Sequence, residues 1–130
     1  MATTRAHVRV ARPPDEVWAV VSDPVGITDW FPGIASCTLD GSVRHVVTTN
    51  GIEVDEEIVT NDAGLRRFQY RIPAGGVVPY ERHLATIDVL DDGDGALVIY
   101  SGDVMPDQFG PSLQQTLEAA VQGLQQHVET

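Results

Sequence analysis

Lysine is absent from this chain; all eight of its cations are arginine. No mechanism through a lysine Schiff base is therefore open to it. Against nineteen acids, those eight cations leave a formal net charge of -11. That balance excludes nucleic acid as a partner, because phosphate binding needs clustered cations. It equally excludes an anionic membrane surface. Cysteine occurs once, at Cys37, so no internal disulfide can form. A reducing cytoplasm is the expected compartment, and Cys37 reads as a small core or strand residue rather than a nucleophile. No apolar run approaches the ~20 residues of a membrane span, and no signal-peptide pattern opens the sequence. There is no Cys/His cluster for zinc, no glycine-rich phosphate loop and no serine-elbow motif. Asp91-Asp92-Gly93-Asp94-Gly95 lacks the spacing and distal glutamate of an EF-hand and reads as a solvated hairpin turn. Neither a metal nor a cofactor is expected.

What is present suits an ordinary globule. Of 130 residues, 42% are hydrophobic and 21% charged, enough for one core in one domain over residues 1–130. Residues 3–11 alternate, with Ala6, Val8 and Val10 on one face and Arg5, His7 and Arg9 on the other, which predicts a half-buried strand. Pro13-Pro14-Asp15-Glu16 opens a short helix, and Asp23-Pro24 closes it, since a residue before proline avoids helical angles. A second short helix over 24–30 leads to a break at Trp30-Phe31-Pro32-Gly33. Six strands follow, over 34–39, 43–49, 52–60, 66–72, 80–90 and 96–104, with Asn50-Gly51 the strongest hairpin signal. Phe109, Leu113, Leu117, Ala120, Leu124 and Val128 recur at steps of three and four, which predicts one amphipathic helix over 108–128 with its glutamines on the wet face. Gly110-Pro111 near its start is a candidate gate. The order predicts an α+β fold: a seven-stranded curved antiparallel sheet around a long C-terminal helix, with two short helices after the first strand.

The stretch RVARPPDEVWAVVSDPVGITDWFPGI resembles the opening of the START-like or Bet v 1-like superfamily (SRPBCC), specifically its polyketide cyclase/dehydrase and lipid-transport branch. GSVRHVVTTNGIEVDEEIV is similar to that branch's next hairpin, and Y-R-I followed by proline and A-T-I-D-V to its later strands. The resemblance implies a helix-grip fold enclosing a cavity between sheet and helix. It does not by itself imply one activity, because the superfamily holds cyclases, dehydratases, hormone receptors and lipid carriers.

A strand's period of two sorts side chains by face. With Asn50 at a hairpin tip, Thr48 lies opposite Ile52, Val46 opposite Val54 and Arg44 opposite Glu56. The other face carries three acids, Glu53, Asp55 and Glu57, so the face with Arg44 and Glu56 turns inward. A five-residue turn then sets Ile58 opposite Phe68 and Glu56 opposite Tyr70. His83, Ala85, Ile87 and Val89 form the inward set of the next strand; Val98, Tyr100, Gly102 and Val104 form that of the last. The expected lining is therefore Arg44, Glu56, Tyr70, His83 and Tyr100 among Val46, Val54, Ile58, Phe68, Ile87 and Val98. Trp30 and Phe31 belong at the mouth, and Phe109, Leu113 and Leu117 form the lid side. An apolar cavity with a few convergent polar groups is the usual form of a small-molecule site.

The leading expectation is a cofactor-independent cyclase or dehydratase acting on a polyketide-like or other secondary-metabolite intermediate. Orientation in the cavity would drive such a reaction. His83 would move protons, Arg44 and Tyr70 would steady negative charge, and Glu56 would orient Arg44. The bland readings stand beside these: a structural ion pair for Arg44 and Glu56, a satisfied core histidine, and core aromatics for Tyr70 and Tyr100. The alternative function is a non-catalytic carrier or sensor of a hydrophobic ligand. A third is a protein partner presenting Trp30 and Phe31. Monomer and homodimer are both compatible with the sequence.

Overall fold

The computed structural model describes residues 1–130. The strands are β1 (Ala2–Val10), β2 (Ile34–Asp40), β3 (Val43–Thr48), β4 (Glu53–Asp62), β5 (Arg67–Arg71), β6 (Arg82–Asp92) and β7 (Gly95–Met105). All pair antiparallel in one sheet of order β1-β7-β6-β5-β4-β3-β2. Helix α1 (Pro14–Val21) follows β1, starting on proline with Asp15 and Glu16 in its first turn. The second predicted short helix is a 3-10 turn, Val25–Asp29. Helix α2 (Gly110–Glu129) closes the chain and lays Leu113, Leu117, Ala120, Val121 and Leu124 on the sheet. This is the helix-grip fold. Inward side chains of β1, β5, β6 and β7 join those helices in one core cluster of 22 buried residues.

The hairpin at Asn50-Gly51 forms as its residues dictate. Gly51 sits at φ 87°, open to glycine at little cost, and Thr48 N–H donates to the Ile52 carbonyl at 2.9 Å. Arg44 therefore faces Glu56 and Val46 faces Val54. The next pairing departs from expectation. Ile58 faces Tyr70 rather than Phe68, and Phe68 faces Asn61. β4 runs on to Asp62 and is irregular between Ile58 and Thr60. An extra residue there offsets the pairing and leaves the face of Tyr70 and Phe68 unchanged, so both are still buried.

Three more expectations change. β6 begins at Arg82, not at Tyr80. Gln108 and Phe109 belong to a separate 3-10 turn, because Pro111 has no N–H and α2 starts afresh around it. The helix glutamines are not all a wet face. Arg5 N–H donates to Gln114 Oε1 at 2.9 Å, Gln114 Nε2 donates back to the Arg5 carbonyl at 2.8 Å, and Gln125 Nε2 donates to the Arg9 carbonyl at 3.1 Å. These bonds occupy backbone groups on the outer edge of β1, which would otherwise invite another strand.

The helix is pressed tightly to the sheet. A Cβ at Gly110 would lie 2.9 Å from the Ala2 side chain, and one at Gly102 would lie 2.8 Å from Leu113. Gly110-Pro111 is thus a point of close approach and leaves no slack for a gate. Near the other end of α2, a Cβ at Gly123 would overlap the Trp30 carbonyl oxygen.

Candidate functional site

The hairpin that sets Arg44 opposite Glu56 places an ion pair inside the sheet's concave side. Arg44 is 2% exposed and Glu56 8%. Arg44 Nε donates to Glu56 Oε1 at 2.8 Å, and Nη1 donates to the Pro24 carbonyl at 3.1 Å. Nη2 lies 2.6 Å from the same Glu56 oxygen but is poorly aimed at it, and has no hydrogen-bond partner in the protein. The guanidinium carbon stands 4.8 Å over the Tyr70 ring and 5.4 Å over that of Phe68, close enough for cation–π attraction.

Tyr70 and Tyr100 meet behind the guanidinium, hydroxyl to hydroxyl. Tyr100 also touches Trp30 and Phe31 edge-on, with centroids 6.4 and 6.3 Å away. The structure thereby gathers Arg44, Glu56, Phe68, Tyr70, Tyr100, Trp30 and Phe31 into one cluster. Val46, Ile87, Val98, Leu113 and Leu117 are buried around it. Val54 is half-buried and lines an outer groove with His45, Asp55 and Val77 instead. Phe109 packs edge-on against Tyr80, 5.3 Å between centroids, and not beside Phe31.

Electrostatics follow from burial. Burial raises the Glu56 carboxyl above its usual range, with Arg44 pulling it back. Burial would lower the Arg44 guanidinium, but Glu56 and the tyrosines outweigh it and hold the charge in place. Burial pushes both Tyr70 and Tyr100 up, so both are neutral phenols at ordinary pH.

His83 lies at one end of this cluster, 8% exposed, with its ring 5.7 Å from Tyr70 and stacked at 5.2 Å on Tyr80. Ile72 N–H donates to its Nδ1 at 3.0 Å. That bond fixes the neutral tautomer with the proton on Nε2. Burial lowers its pKa to about 4. A ring so held is neutral at ordinary pH and has spent its basic nitrogen on the backbone. The geometry does not give His83 the free nitrogen that the sequence expectation of proton transfer needs.

Around these groups Tyr100, Phe68, Leu117 and Leu124 are fully buried. None of five grooves on the molecule is lined by Arg44, Glu56, Tyr70 or Tyr100. One groove, of about 420 Å³, runs between Phe31-Pro32 and Ser112, Gln115, Thr116 and Ala119 of α2. The Phe31 ring separates it from Tyr100. Another, of about 580 Å³, reaches His83 past Pro73, Ala74, Glu81 and Arg82.

Sequence reasoning missed two participants. The Pro24 carbonyl depends on where the 3-10 turn settles against β2, which no periodicity reports. Tyr80 precedes β6, so the strand's parity does not govern it.

A family model described as polyketide cyclase / dehydrase and lipid transport matches residues 1–129. No curated protein matches the sequence. Among solved structures, the protein XoxI from Bacillus cereus is similar at 25% identity and a TM-score of 0.88, over 97% of this chain and 94% of that one. A START superfamily protein from Mycobacterium smegmatis is 16% identical with a TM-score of 0.85, over 99% and 98% of the two chains. The di-domain ARO/CYC BexL from the BE-7585A biosynthetic pathway is 16% identical with a TM-score of 0.84; the likeness covers 99% of this chain and 47% of BexL.

Proposed function

Because the chain belongs to the polyketide cyclase/dehydrase and lipid transport family, we propose that it binds a mostly apolar small molecule between its sheet and α2, and acts on it as a cofactor-independent cyclase or dehydratase. One observation carries this reading: an Arg44–Glu56 pair, with two tyrosine hydroxyls behind it, is buried in an otherwise apolar interior. A buried ion pair is a poor route to stability, since hydrophobic residues of similar volume do as well or better. It is a good route to gripping an oxygen that gains negative charge. In this reading Glu56 orients Arg44, Arg44 and Tyr70 or Tyr100 steady the developing charge, and Phe31, Leu113 and Leu117 press the apolar body into a reactive fold. His83 serves as a positioning residue that ties Ile72 to β6. A reducing compartment, suggested by the lone Cys37, belongs to the same proposal.

The second reading, a carrier or sensor, is favoured by His83 itself: with Nδ1 bonded to a backbone N–H, the cluster holds no free histidine base. Incubation of the purified protein with linear poly-β-ketone thioesters, followed by mass spectrometry, separates the two. A ring-closed or dehydrated product supports the enzyme. Binding with the compound recovered unchanged supports the carrier, and no binding by any such compound defeats both.

A further inference from the structure

The two outer edges of the sheet differ. On β1, Gln114 and Gln125 of α2 hold the Arg5 N–H and the carbonyls of Arg5 and Arg9. On β2 the only side-chain bonds are those of the Cys37 thiol, to the Pro24 and Thr38 carbonyls. Which backbone groups this leaves free follows from the neighbouring strand. Ile58 N–H donates to the Ser42 carbonyl and Thr48 N–H to that of Ile52. Even-numbered residues of β3 therefore bond β4, and odd-numbered ones turn toward β2. His45 pairs with Thr38 and Val43 with Asp40. The N–H and C=O of Thr38 and Asp40 thus point at β3, and those of Cys37 and Leu39 point off the sheet. The irregularity between Ile34 and Ser36 confines this regular free edge to Cys37–Asp40. β2 has no lysine, arginine or proline, the residues that usually blunt an edge.

We infer that this edge is a self-pairing surface: a second copy of the chain adds its β2 antiparallel to this β2, about a two-fold axis at Thr38. The register makes the strand its own complement. Cys37 of each copy exchanges backbone hydrogen bonds with Leu39 of the other, so every outward group of the regular edge is used. The side chains of Leu39 and Cys37 share the sheet face of Arg44 and Val46, and Leu39, 44% exposed, gains an apolar neighbour. On the opposite face Thr38 meets Thr38 across the axis, a favourable cross-strand pair. Asp40, the only charge in β2, falls opposite Ser36. The two Asp40 carboxylates are then about 13 Å apart along the strands, beyond the Debye length of about 8 Å. Two chains of net charge -11 can meet along this edge without opposing like charges. The patch is small, so the dimer is weak and reversible.

Sedimentation velocity on the full chain, from about 10 µM to about 1 mM, tests the pairing in the range of weak complexes. The mass should climb from one chain toward two. Thr38 is exposed, and Thr38→Lys, which sets two ammonium groups face to face, should stay monomeric throughout with an unchanged circular dichroism spectrum. A second variant checks the register. In a Cys37→Ser background, Thr38→Cys places two thiols at a non-hydrogen-bonded pair, with Cα atoms about 4.5 Å apart and within disulfide reach. Copper-phenanthroline oxidation should link these copies, and should not link wild type, whose Cys37 lies opposite Leu39. A chain that is monomeric at every concentration overturns the inference and leaves the edge to a strand of another protein. A dimer that survives Thr38→Lys, or that Thr38→Cys does not link, places the contact elsewhere and overturns it as well.

Discussion

At the scale of single residues, Arg44 and Glu56 hold each other in the interior, and neither tolerates losing the other. Arg44→Met should destabilise the fold by about 3–5 kcal/mol, because Glu56 is left charged or forced to protonate in a largely buried site without its partner. The double variant Arg44→Met/Glu56→Leu should recover much of that loss. Denaturant unfolding of the two singles and the double measures the coupling; additive losses would show that the pair is not one unit. His83 makes a pH prediction. Its folded pKa of about 4 lies below its ordinary value, so the folded state binds fewer protons than the unfolded one. Stability from this residue is complete above pH ~6.5 and falls away as pH drops toward 4, by about 3 kcal/mol in all. Glu56, with a raised pKa, works in the opposite direction. The informative quantity is therefore the difference between wild type and His83→Phe across pH 7 to 4, which should narrow steadily. A constant difference would show that His83 does not titrate as placed.

Among elements, β3 and β4 were readable because Asn50-Gly51 fixes the hairpin tip, and a tip fixes every pair behind it. Arg44 opposite Glu56 follows from that alone. The β4–β5 register was not readable, since no residue near Val59 announces the irregularity there. The inward faces of β6 and β7 were legible from alternation, and His83 and Tyr100 fell where parity puts them. The partners of Trp30 were not, because they depend on how a 3-10 turn lands on distant strands. One element-scale contact has a sharp consequence. Alanine is a better helix former than glycine by about 1 kcal/mol, yet Gly123→Ala should destabilise by roughly 1–3 kcal/mol, since its Cβ collides with the Trp30 carbonyl and α2 must lift. Thermal unfolding checks the sign, and a stabilised variant would mean that α2 is not pinned there.

For the whole molecule, the grip works as one wall against another. α2 is held at Gly102 and Gly110 toward its start and at Gly123 toward its end, and Gln114 and Gln125 fasten it to the edge of β1. In the proposed function, a ligand would therefore gain access by displacing side chains rather than by lifting the helix. Phe31, between an outer groove and the Tyr100 ring, is the side chain in the way. No helix is long and apolar enough to cross a membrane, and a net charge of -11 keeps anionic partners at a distance. The proposed function requires that a ligand reach the buried Arg44–Glu56–tyrosine cluster. The most direct measurement is the set of intermolecular NOEs between bound 9,10-anthraquinone and the isotope-labelled protein. Contacts to Phe31, Tyr70, Tyr100 and Leu117 are predicted. Contacts confined to the outer grooves at Val77 and Ala74 would contradict it.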